Sequence, residues 1–487
     1  MKKKKKIILG ISLAAILTLS VSAGIIISIR PPWLVEMVAG NFLDSSAPEY
    51  PEIEDGLHGL LVGTGSPLPD SDRAGASVLV IAGDKHFVVD TGVGSTENIA
   101  LSGVSTALVD AVFLTHYHSD HIADLGELML QRWANGAHNE SLPVYGPVNV
   151  SKVVEGFNMA YQFDSQHRID HHGDAVAPEN GSGGISIIGT HEIDIGPDPM
   201  ANHTWIIDDV EVTMFNVNHT PVYPAVGYKF EYKGRSLVIS GDTIYSENLE
   251  LHATNADLLI CEALNDELVT LLEEQAAEGN IGGETTETIF HDIQDYHITP
   301  WDAATLAKNA NVEYLVYTHI IPAVPDALED LFLGNASEIF TGKIDLADDG
   351  LFVSLPANSE KITTMNLLSE INPIPASVVI PISILVLVAM VVVGWIITKK
   401  KNRKKLKAST ILTAFSILMG ILIVTRIVTF ITTGFDILTA VYFGVEAIML
   451  TWGIMVLKQD NDQFSSKITT WWNNIKGNKK KGEIMTK

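Results

Sequence analysis

The sequence predicts a layered domain of mixed α and β structure together with about four membrane-spanning helices. Three observations support this prediction. Short apolar runs bounded by glycine and aspartate are interleaved with helical segments in the middle of the chain. Uncharged apolar stretches long enough to cross a bilayer lie towards both ends. Residues 31–370 contain 53 Asp and Glu against 11 Lys and Arg, a net charge of −42 (11 − 53), so the remainder of the chain is basic.

The first apolar stretch, residues 7–29, follows the lysines of residues 2–6 and is interpreted as a membrane anchor. The alternative is a cleaved signal peptide, since residues 21–23 resemble a signal-peptidase site. Three further stretches cover about residues 374–398, 408–433 and 435–457. Basic clusters precede the first stretch, separate the second from the third and follow the fourth, which places all three clusters on one side of the membrane. We therefore expect a multi-pass protein of the cell membrane, with both termini cytoplasmic and the acidic domain extracellular.

The predicted organisation has six parts. They are an N-terminal anchor (1–30), a linker (31–56), the folded domain (57–357), a linker (358–373), three transmembrane helices (374–457) and a basic cytoplasmic tail (458–487). The acidity of the folded domain suits contact with solvent and argues against a nucleic-acid partner, because phosphates are bound by cationic side chains. The lipid bilayer is an expected partner. Cys261 is the only cysteine, which excludes an intrachain disulfide and a cysteine-based metal cluster.

Nine segments of the folded domain are predicted as strands and four as helices. The strands are 57–62, 77–81, 86–89, 111–114, 210–216, 227–232, 236–240, 258–261 and 314–318. The helices are 122–133, 150–161, 266–278 and 300–310. Thr299 suits the N-cap of the last helix and Pro300 its first turn. Residues 164–204 are polar and weakly periodic, and they are predicted to form an inserted loop over the functional site.

Residues 115–121 (THYHSDH) place four metal-binding side chains within six positions, directly after a predicted strand. Zinc binds imidazole nitrogen and carboxylate oxygen. Because a loop that leaves a strand can direct alternate side chains to one side, His116 and His118 could serve one ion. Asp120 and His121 could then serve a neighbouring ion.

Four more candidates each follow an apolar strand: Asp90, His219, Asp242 and His319. Loops at strand ends often gather into functional sites. Any one of these residues alone is better explained as a turn residue. Their joint occurrence indicates a shared site.

The combined motifs resemble those of metallo-β-lactamase-fold hydrolases, in the branch that contains ribonuclease Z and arylsulfatase-like enzymes. The H-x-H-x-D-H motif is complete at residues 116–121. The other matching segments are 63–67 (GTGSP) with Arg73 downstream, 218–221 (NHTP), 227–230 (GYKF), 240–243 (SGDT) and 315–319 (LVYTH). The similarity covers about residues 57–355 and implies a four-layer αββα sandwich.

The resemblance also implies a site for two Zn2+ ions, with Mn2+ or Fe2+ as alternatives because His/Asp sites accept several metals. Seven side chains would bind them by position: His116, His118 and His219 for the first metal, Asp120, His121 and His319 for the second, and Asp242 as the bridge. Asp90 would orient a ligand histidine from outside the coordination sphere.

In the mechanism implied by the resemblance, a metal-bridging hydroxide attacks the ester, and Asp120 relays a proton. His297 would assist the leaving group with support from Glu262. The surrounding segments, 296–299 (YHIT) and 261–264 (CEAL), match the family imperfectly, and a histidine that caps the helix start is the alternative. His171 and His172, in the predicted inserted loop, are candidates for contact with substrate.

The favoured function is a membrane-anchored hydrolase of a small-molecule sulfate or phosphate ester. The first alternative is a ribonuclease Z-like tRNA 3′-end endonuclease, against which we weigh the charge of −42 over residues 31–370 (11 − 53). The second alternative is a non-catalytic membrane sensor or scaffold. It is disfavoured by the intact ligand set.

Overall fold

Two β-sheets packed face to face form the centre of the fold in the computed structural model, which describes residues 53–181 and 190–368. The strands of the first sheet are β1 Gly56–Gly63, β2 Ser77–Ala82, β3 Lys85–Val89, β4 Ala111–Phe113, β5 Val144–Pro147, β6 Thr190–Ile193, β14 Leu351–Pro356 and β15 Thr363–Asn366. Those of the second sheet are β7 Asn202–Ile207, β8 Val210–Asn216, β9 Val226–Tyr232, β10 Arg235–Ile239, β11 Leu258–Leu264, β12 Tyr314–Ile321 and β13 Lys343–Leu346.

Each sheet combines an antiparallel half with a parallel half. The order of the first sheet is β15-β14-β1-β2-β3-β4-β5-β6, with parallel pairing from β3 to β6. The order of the second is β13-β12-β11-β10-β9-β8-β7, with parallel pairing from β10 to β13. Parallel neighbours end at the same edge of a sheet, so the residues that follow them are brought together.

The facing sides of the two sheets share one apolar core. Leu57 and Phe87 of the first sheet pack in it with Val212 and Val316 of the second, all fully buried. Strands β1, β2 and β12 are buried along their whole length, because their outer faces are covered as well. This explains why they occur in the sequence as mainly apolar runs rather than as alternating patterns.

Helices cover the outer face of each sheet. They are α1 Ser95–Leu101, α2 Ser119–Ile122, α3 Leu125–Gly136, α4 Val150–His172, α5 Glu247–His252, α6 Asp266–Ala277, α7 Glu284–Asp292, α8 Pro300–Asn309, α9 Glu329–Leu333 and α10 Ala336–Ile339. Apolar residues of α1, α3 and α4 pack on the first sheet, and those of α5, α8, α9 and α10 pack on the second. The result is the four-layer αββα arrangement, so the prediction of a mixed α and β sandwich is confirmed.

The start of α8 has the predicted cap. Thr299 Oγ1 accepts a hydrogen bond from the Asp302 backbone N–H, and Pro300 occupies the first turn. A threonine cap satisfies an N–H that has no partner within the helix, and proline at this position has no N–H to satisfy. The helix therefore begins at a defined residue, Pro300, three positions after His297.

Two predictions about secondary structure are wrong. The helix predicted over 122–133 is observed as α3, which begins at Leu125 and ends at Gly136, while Ile122 belongs to the separate short helix α2. Residues 164–204 are not one loop, since α4 continues to His172 and β6 and β7 lie in the same segment. The end of α4 is largely exposed, with Ser165 its only buried residue after Asn158, so it lacks an apolar period. Strand β7 is fixed by six residue pairs with β8, which the sequence does not reveal.

The prediction that residues 358–373 form a linker is wrong for the described part, because β15 lies within it and pairs with β14. The rest of this linker, the linker before residue 53, the predicted membrane spans and the cytoplasmic tail lie outside the described residues. Within 53–181 and 190–368, no helix combines the length and apolar character needed to cross a bilayer. All the described residues belong to one compact unit. The anchors and the orientation of the domain therefore stay predictions.

Candidate metal centre

The seven proposed metal-binding side chains lie at one edge of the sandwich. His116 and His118 follow β4, and Asp120 and His121 lie in the short helix α2. The other three come from the second sheet, where His219 follows β8, Asp242 follows β10 and His319 lies in β12. His319 has a left-handed backbone (φ 47°), and the pairing of β11 with β12 shifts register beside it. Such an irregularity redirects a side chain relative to a regular strand.

These side chains converge into two neighbouring groups. Ligand atoms of His116, His118, His219 and Asp242 lie within 4.8 Å of one another, and so do those of Asp120, His121 and His319. Asp242 Oδ2 occupies the centre, at 3.7 Å from His116 Nε2, 3.4 Å from His121 Nε2, 3.8 Å from His219 Nε2 and 3.5 Å from His319 Nε2. A carboxylate in this position can contact an ion on either side.

The buried atoms of this cluster fit divalent metal ions. His116 Nε2, His121 Nε2, His219 Nε2 and Asp242 Oδ1 are buried and have no hydrogen-bond partner among the described residues. Buried polar atoms are almost always satisfied, so four that point into one small space indicate a missing partner. Neutral imidazole and carboxylate are suitable ligands for zinc, manganese and iron. The cluster therefore suggests a binuclear metal site.

Outer hydrogen bonds hold several of these imidazoles in orientation. Asp90 Oδ2 lies 2.8 Å from His121 Nδ1, and the same carboxylate accepts from Thr115 N and Thr115 Oγ1. His219 Nδ1 lies 2.9 Å from the carbonyl oxygen of Tyr296. Both contacts fix a proton on Nδ1 and leave Nε2 as the ligand atom. Asp90 therefore lies where the resemblance placed it, beside a ligand histidine.

Burial and charge prepare the cluster for cations. Burial lowers the pKa of His116 well below its usual value and that of His219 to about 4, so both stay neutral. Burial opposes ionisation of Asp242, but the surrounding histidines, His319 first among them, outweigh it and hold its pKa well below the usual range. In the same way, burial lowers the pKa of His121, but Asp242 and Asp90 outweigh burial and raise it. Metal ions can take the place of these protons.

His297 and Glu262 form a buried pair next to the cluster. His297 Nδ1 lies 2.9 Å from both Glu262 oxygens, and Glu262 Oε1 also accepts a hydrogen bond from Thr243 N. Ligand atoms of His297, Asp242 and His319 lie within 4.8 Å of one another. Burial raises the pKa of Glu262, although His297 opposes the rise. Glu262 lies inside β11 rather than after its end, because this strand extends to Leu264.

His171 and His172 do not join the cluster. They lie in the last turn of α4, not in a loop, and both are exposed. Their rings contact each other with centroids 4.6 Å apart. Contact of these residues with substrate stays a prediction.

Asp349 is a residue that the sequence analysis missed. Its Oδ1 accepts from Thr64 N and Thr64 Oγ1, and its Oδ2 accepts from Ala74 N and Asn98 Nδ2. The carbonyl oxygen of Thr64 in turn accepts a hydrogen bond from Ile320 N, the neighbour of His319. Asp349 therefore connects the loop after β1 to the strand that carries His319. An aspartate in a DDG turn gives no sign of this role in the sequence.

Comparison with known proteins identifies the family. The model of the metallo-beta-lactamase superfamily matches residues 70–319, more than half of the 487 residues. The chain belongs to the metallo-beta-lactamase superfamily. Ribonuclease Z from Mycobacterium bovis (strain BCG) is 36% identical over 291 residues, which are 59% of this chain and 95% of that protein. Ribonuclease Z from Mycolicibacterium paratuberculosis is 34% identical over 291 residues, with the same shares.

Among solved structures, the short form of human tRNase Z is 19% identical to this superfamily member. The match covers 61% of this chain and 99% of that protein, with a TM-score of 0.40. The expectation of a metal-dependent hydrolase with a ribonuclease Z-like sequence is confirmed. Similarity to arylsulfatase-like enzymes stays a prediction.

The expectation that nucleic acid is not a partner is wrong. The expectation is based on the net charge of residues 31–370. However, proteins that are 34–36% identical to this chain over 291 residues carry the name of a ribonuclease. Net charge sums the whole surface, whereas recognition depends on groups near the reacting atoms. Acidity of the domain therefore does not exclude an RNA substrate.

Proposed function

We propose that this chain is a metal-dependent phosphodiesterase that cleaves RNA, which is the activity that the name of its ribonuclease Z relatives indicates. The observation that carries the proposal is the position of His297, a buried imidazole beside the His/Asp cluster and paired with Glu262. Cleavage of a phosphodiester needs a nucleophile on one side of phosphorus and a proton for the oxygen that leaves on the other. The cluster and His297 are suited to these two tasks.

The metal ligands in this proposal are the seven converging residues. His116, His118 and His219 would hold one ion, Asp120, His121 and His319 the other, and Asp242 would contact both. When bound, two such ions stabilise negative charge on a phosphate and lower the pKa of a water molecule. Asp120 Oδ2 lies 3.1 Å from His319 Nε2 and 3.4 Å from His121 Nε2, so it is placed to accept a proton within this group.

The carboxylate of Glu262 fixes the orientation of the His297 ring. It accepts from Nδ1, which leaves Nε2 directed away from Glu262. Nε2 is therefore the atom of His297 that would pass a proton to a leaving oxygen. Because the pair is buried, water does not compete for either hydrogen bond.

A matched pair of histidine variants tests this role. In the purified, zinc-loaded full chain, we expect His297→Ala to lower kcat on a precursor tRNA by about 10²- to 10⁴-fold, the usual contribution of a general acid. His291→Ala is the control, since His291 is exposed on α7 and pairs with Glu273. It should leave kcat unchanged. Equal activity of the two variants would remove His297 from the mechanism.

The acidic surface predicts an unusual dependence on salt. Seven of the eleven cations in residues 31–370 form an ion pair with a carboxylate: Arg73, Lys85, Arg168, Lys229, Lys233, Arg235 and Lys343. Few cations are therefore left to release counterions from RNA, and repulsion between RNA and protein should dominate at low salt.

We expect kcat/KM for RNA to rise as NaCl increases from about 0.02 to 0.2 M, a range in which the screening length falls from about 20 Å to about 7 Å. A phosphodiester with a single charge, bis(p-nitrophenyl) phosphate, should show a much weaker change. A fall of kcat/KM for RNA over this range would show that a basic surface guides binding after all.

A second candidate, hydrolysis of a small sulfate or phosphate ester outside the cell, is favoured by the same charge of the domain. The full chain assayed on precursor tRNA, aryl sulfates and aryl phosphates separates the two. Turnover of precursor tRNA supports the ribonuclease Z-like function. Turnover of the small esters without any cleavage of RNA would replace it, and no turnover with less than one metal per chain would favour a non-catalytic role.

A further inference from the structure

The ring of Tyr296 lies at the border between the His/Asp cluster and the proton donor. Its centroid is 4.8 Å from that of His219, at an interplanar angle of 77°, and 4.7 Å from that of His297, at 43°. The residue is only partly buried, whereas both histidines are buried. Part of the Tyr296 ring is therefore open to solvent directly beside the two groups that would act on a phosphate.

The backbone of Tyr296 is held by the same cluster. Its carbonyl oxygen accepts the hydrogen bond from His219 Nδ1 at 2.9 Å. The next residue, His297, is fixed by Glu262, and Ile298 is buried in the core of the second sheet. The position of the ring relative to the cluster is thus set by contacts on both sides. A rigidly placed aromatic ring loses little conformational entropy when a ligand packs against it.

The hydroxyl of Tyr296 is not engaged by the protein. It makes no hydrogen bond to another side chain or carbonyl within residues 53–181 and 190–368. The side chain of Tyr296 is therefore held by contacts of its ring with His219 and His297, and not by its hydroxyl.

We propose that Tyr296 contacts the substrate, with its ring stacked on the nucleobase next to the scissile phosphodiester. This rests on the proposed function, because only a nucleotide places an aromatic base close to the phosphate. Every base has a π-face, so stacking contributes affinity without selecting one sequence. Such a contact suits an acidic protein, since it binds RNA without a cation. Tyr296 is then a residue for binding and positioning of the nucleotide, while His297 handles the proton.

A binding experiment isolates the stacking contribution from catalysis. Calorimetry of the zinc-loaded full chain would compare uridine 5′-monophosphate with ribose 5-phosphate, which has the same phosphate and sugar but no base. Stacking on one aromatic side chain contributes about 1–3 kcal/mol, which corresponds to about 5- to 150-fold in Kd. We expect a ratio of the two Kd values in this range for the wild-type chain.

Three variants then assign the ratio to the ring. Tyr296→Phe keeps the ring and should keep the ratio, while Tyr296→Ala should bring it to about one. Tyr161→Ala is the matched control, because Tyr161 is also partly buried but lies on α4, where it faces Gly126 of α3. It should leave the ratio as in the wild type.

Two results would overturn the proposal. The first is a wild-type ratio near one. The second is an unchanged ratio in Tyr296→Ala, including the case in which both ligands lose the same affinity, since this would mean that the ring only packs against His219 and His297. A different result would separate the two proposals. If the wild type did not cleave precursor tRNA, but its Kd ratio were in the expected range and fell to about one in Tyr296→Ala, the RNA-cleaving function would be rejected. The stacking contact would then remain, with a smaller nucleotide as the ligand.

Discussion

Replacing Asp90 by asparagine tests whether this carboxylate prepares His121 as a metal ligand. Asp90 Oδ1 accepts from Thr115 N, and Oδ2 accepts from Thr115 Oγ1 and His121 Nδ1, each at 2.7–2.8 Å. Asparagine has the same shape and tolerates the left-handed backbone of this position (φ 59°). It can keep the bond to Thr115 N, but its amide NH2 would face the N–H of His121.

The conflict forces the imidazole of His121 into its other tautomer. The proton then lies on Nε2, the atom that points towards Asp120 and Asp242 at 3.4 Å. A protonated nitrogen cannot bind a metal, and loss of such an outer partner usually lowers metal affinity by about 10- to 100-fold. This corresponds to about 1.4–2.7 kcal/mol. The metal-free variant also loses one hydrogen bond to a charged acceptor, about 1.5–3 kcal/mol of stability.

Competition with a chelator of known zinc affinity measures the first effect, and thermal unfolding of the metal-free chain measures the second. Asp110→Asn is the control, since Asp110 also accepts a backbone hydrogen bond, from His86 N, but its carboxylate pairs with Lys85 rather than with a residue of the cluster. If Asp90→Asn bound zinc as tightly as the wild type, the reasoning about the tautomer would be refuted. The same conclusion would follow if both variants lost the same affinity.

Three further predictions concern packing, pH and metal. Gly92→Ala places a Cβ 2.4 Å from the Asp120 carbonyl oxygen, so it should impair metal binding and lower Tm, whereas Gly156→Ala on α4 meets nothing within 4 Å and should stabilise the chain by about 0.5–1 kcal/mol. Burial raises the pKa of Asp349 to about 6, above its value in the unfolded chain. The folded state therefore binds more protons than the unfolded state between about pH 4 and 6, so the free energy of unfolding falls as pH rises through this window, by up to about 1.4 kcal/mol per pH unit. Asp349→Asn should lose this slope in denaturant titrations at several pH values. A slope identical to that of the wild type would contradict the prediction. Removal of metal should lower the free energy of unfolding by about 4 kcal/mol relative to zinc at 1,000 times its Kd, and a Tm that does not respond to zinc would contradict a site in the folded state.

Much of the candidate site follows from local patterns in the sequence. His116, His118, Asp120 and His121 are adjacent in one motif, while His219 and Asp242 follow apolar strands and His319 lies near the end of one. Residues at the ends of strands gather at one edge of a sheet, which is enough to predict that these side chains meet. The cap of α8 by Thr299 is equally local, and it was predicted correctly.

The remaining features depend on partners that are distant in the chain. The carbonyl oxygen that orients His219 belongs to Tyr296, and a backbone acceptor has no residue type by which it could be recognised. Strand β7 is identified by its pairing with β8, not by its own alternating pattern of exposed and partly buried residues. Exposed helix surface needs no apolar residues, so the sequence at the end of α4 does not distinguish a helix from a loop. The prediction from net charge about nucleic acid is wrong for a related reason, because a net charge does not record where the charged residues lie.

The ligands of the metal centre come from both sheets, and this has a consequence for synthesis of the protein. Residues 116–121 are translated long before His319, about 200 residues earlier in the chain. A ribosome-bound chain therefore displays an incomplete set of ligands until the strand that contains His319 has emerged. Tight metal binding then requires the complete domain, whereas ions bound by residues 116–121 alone can still exchange while translation continues.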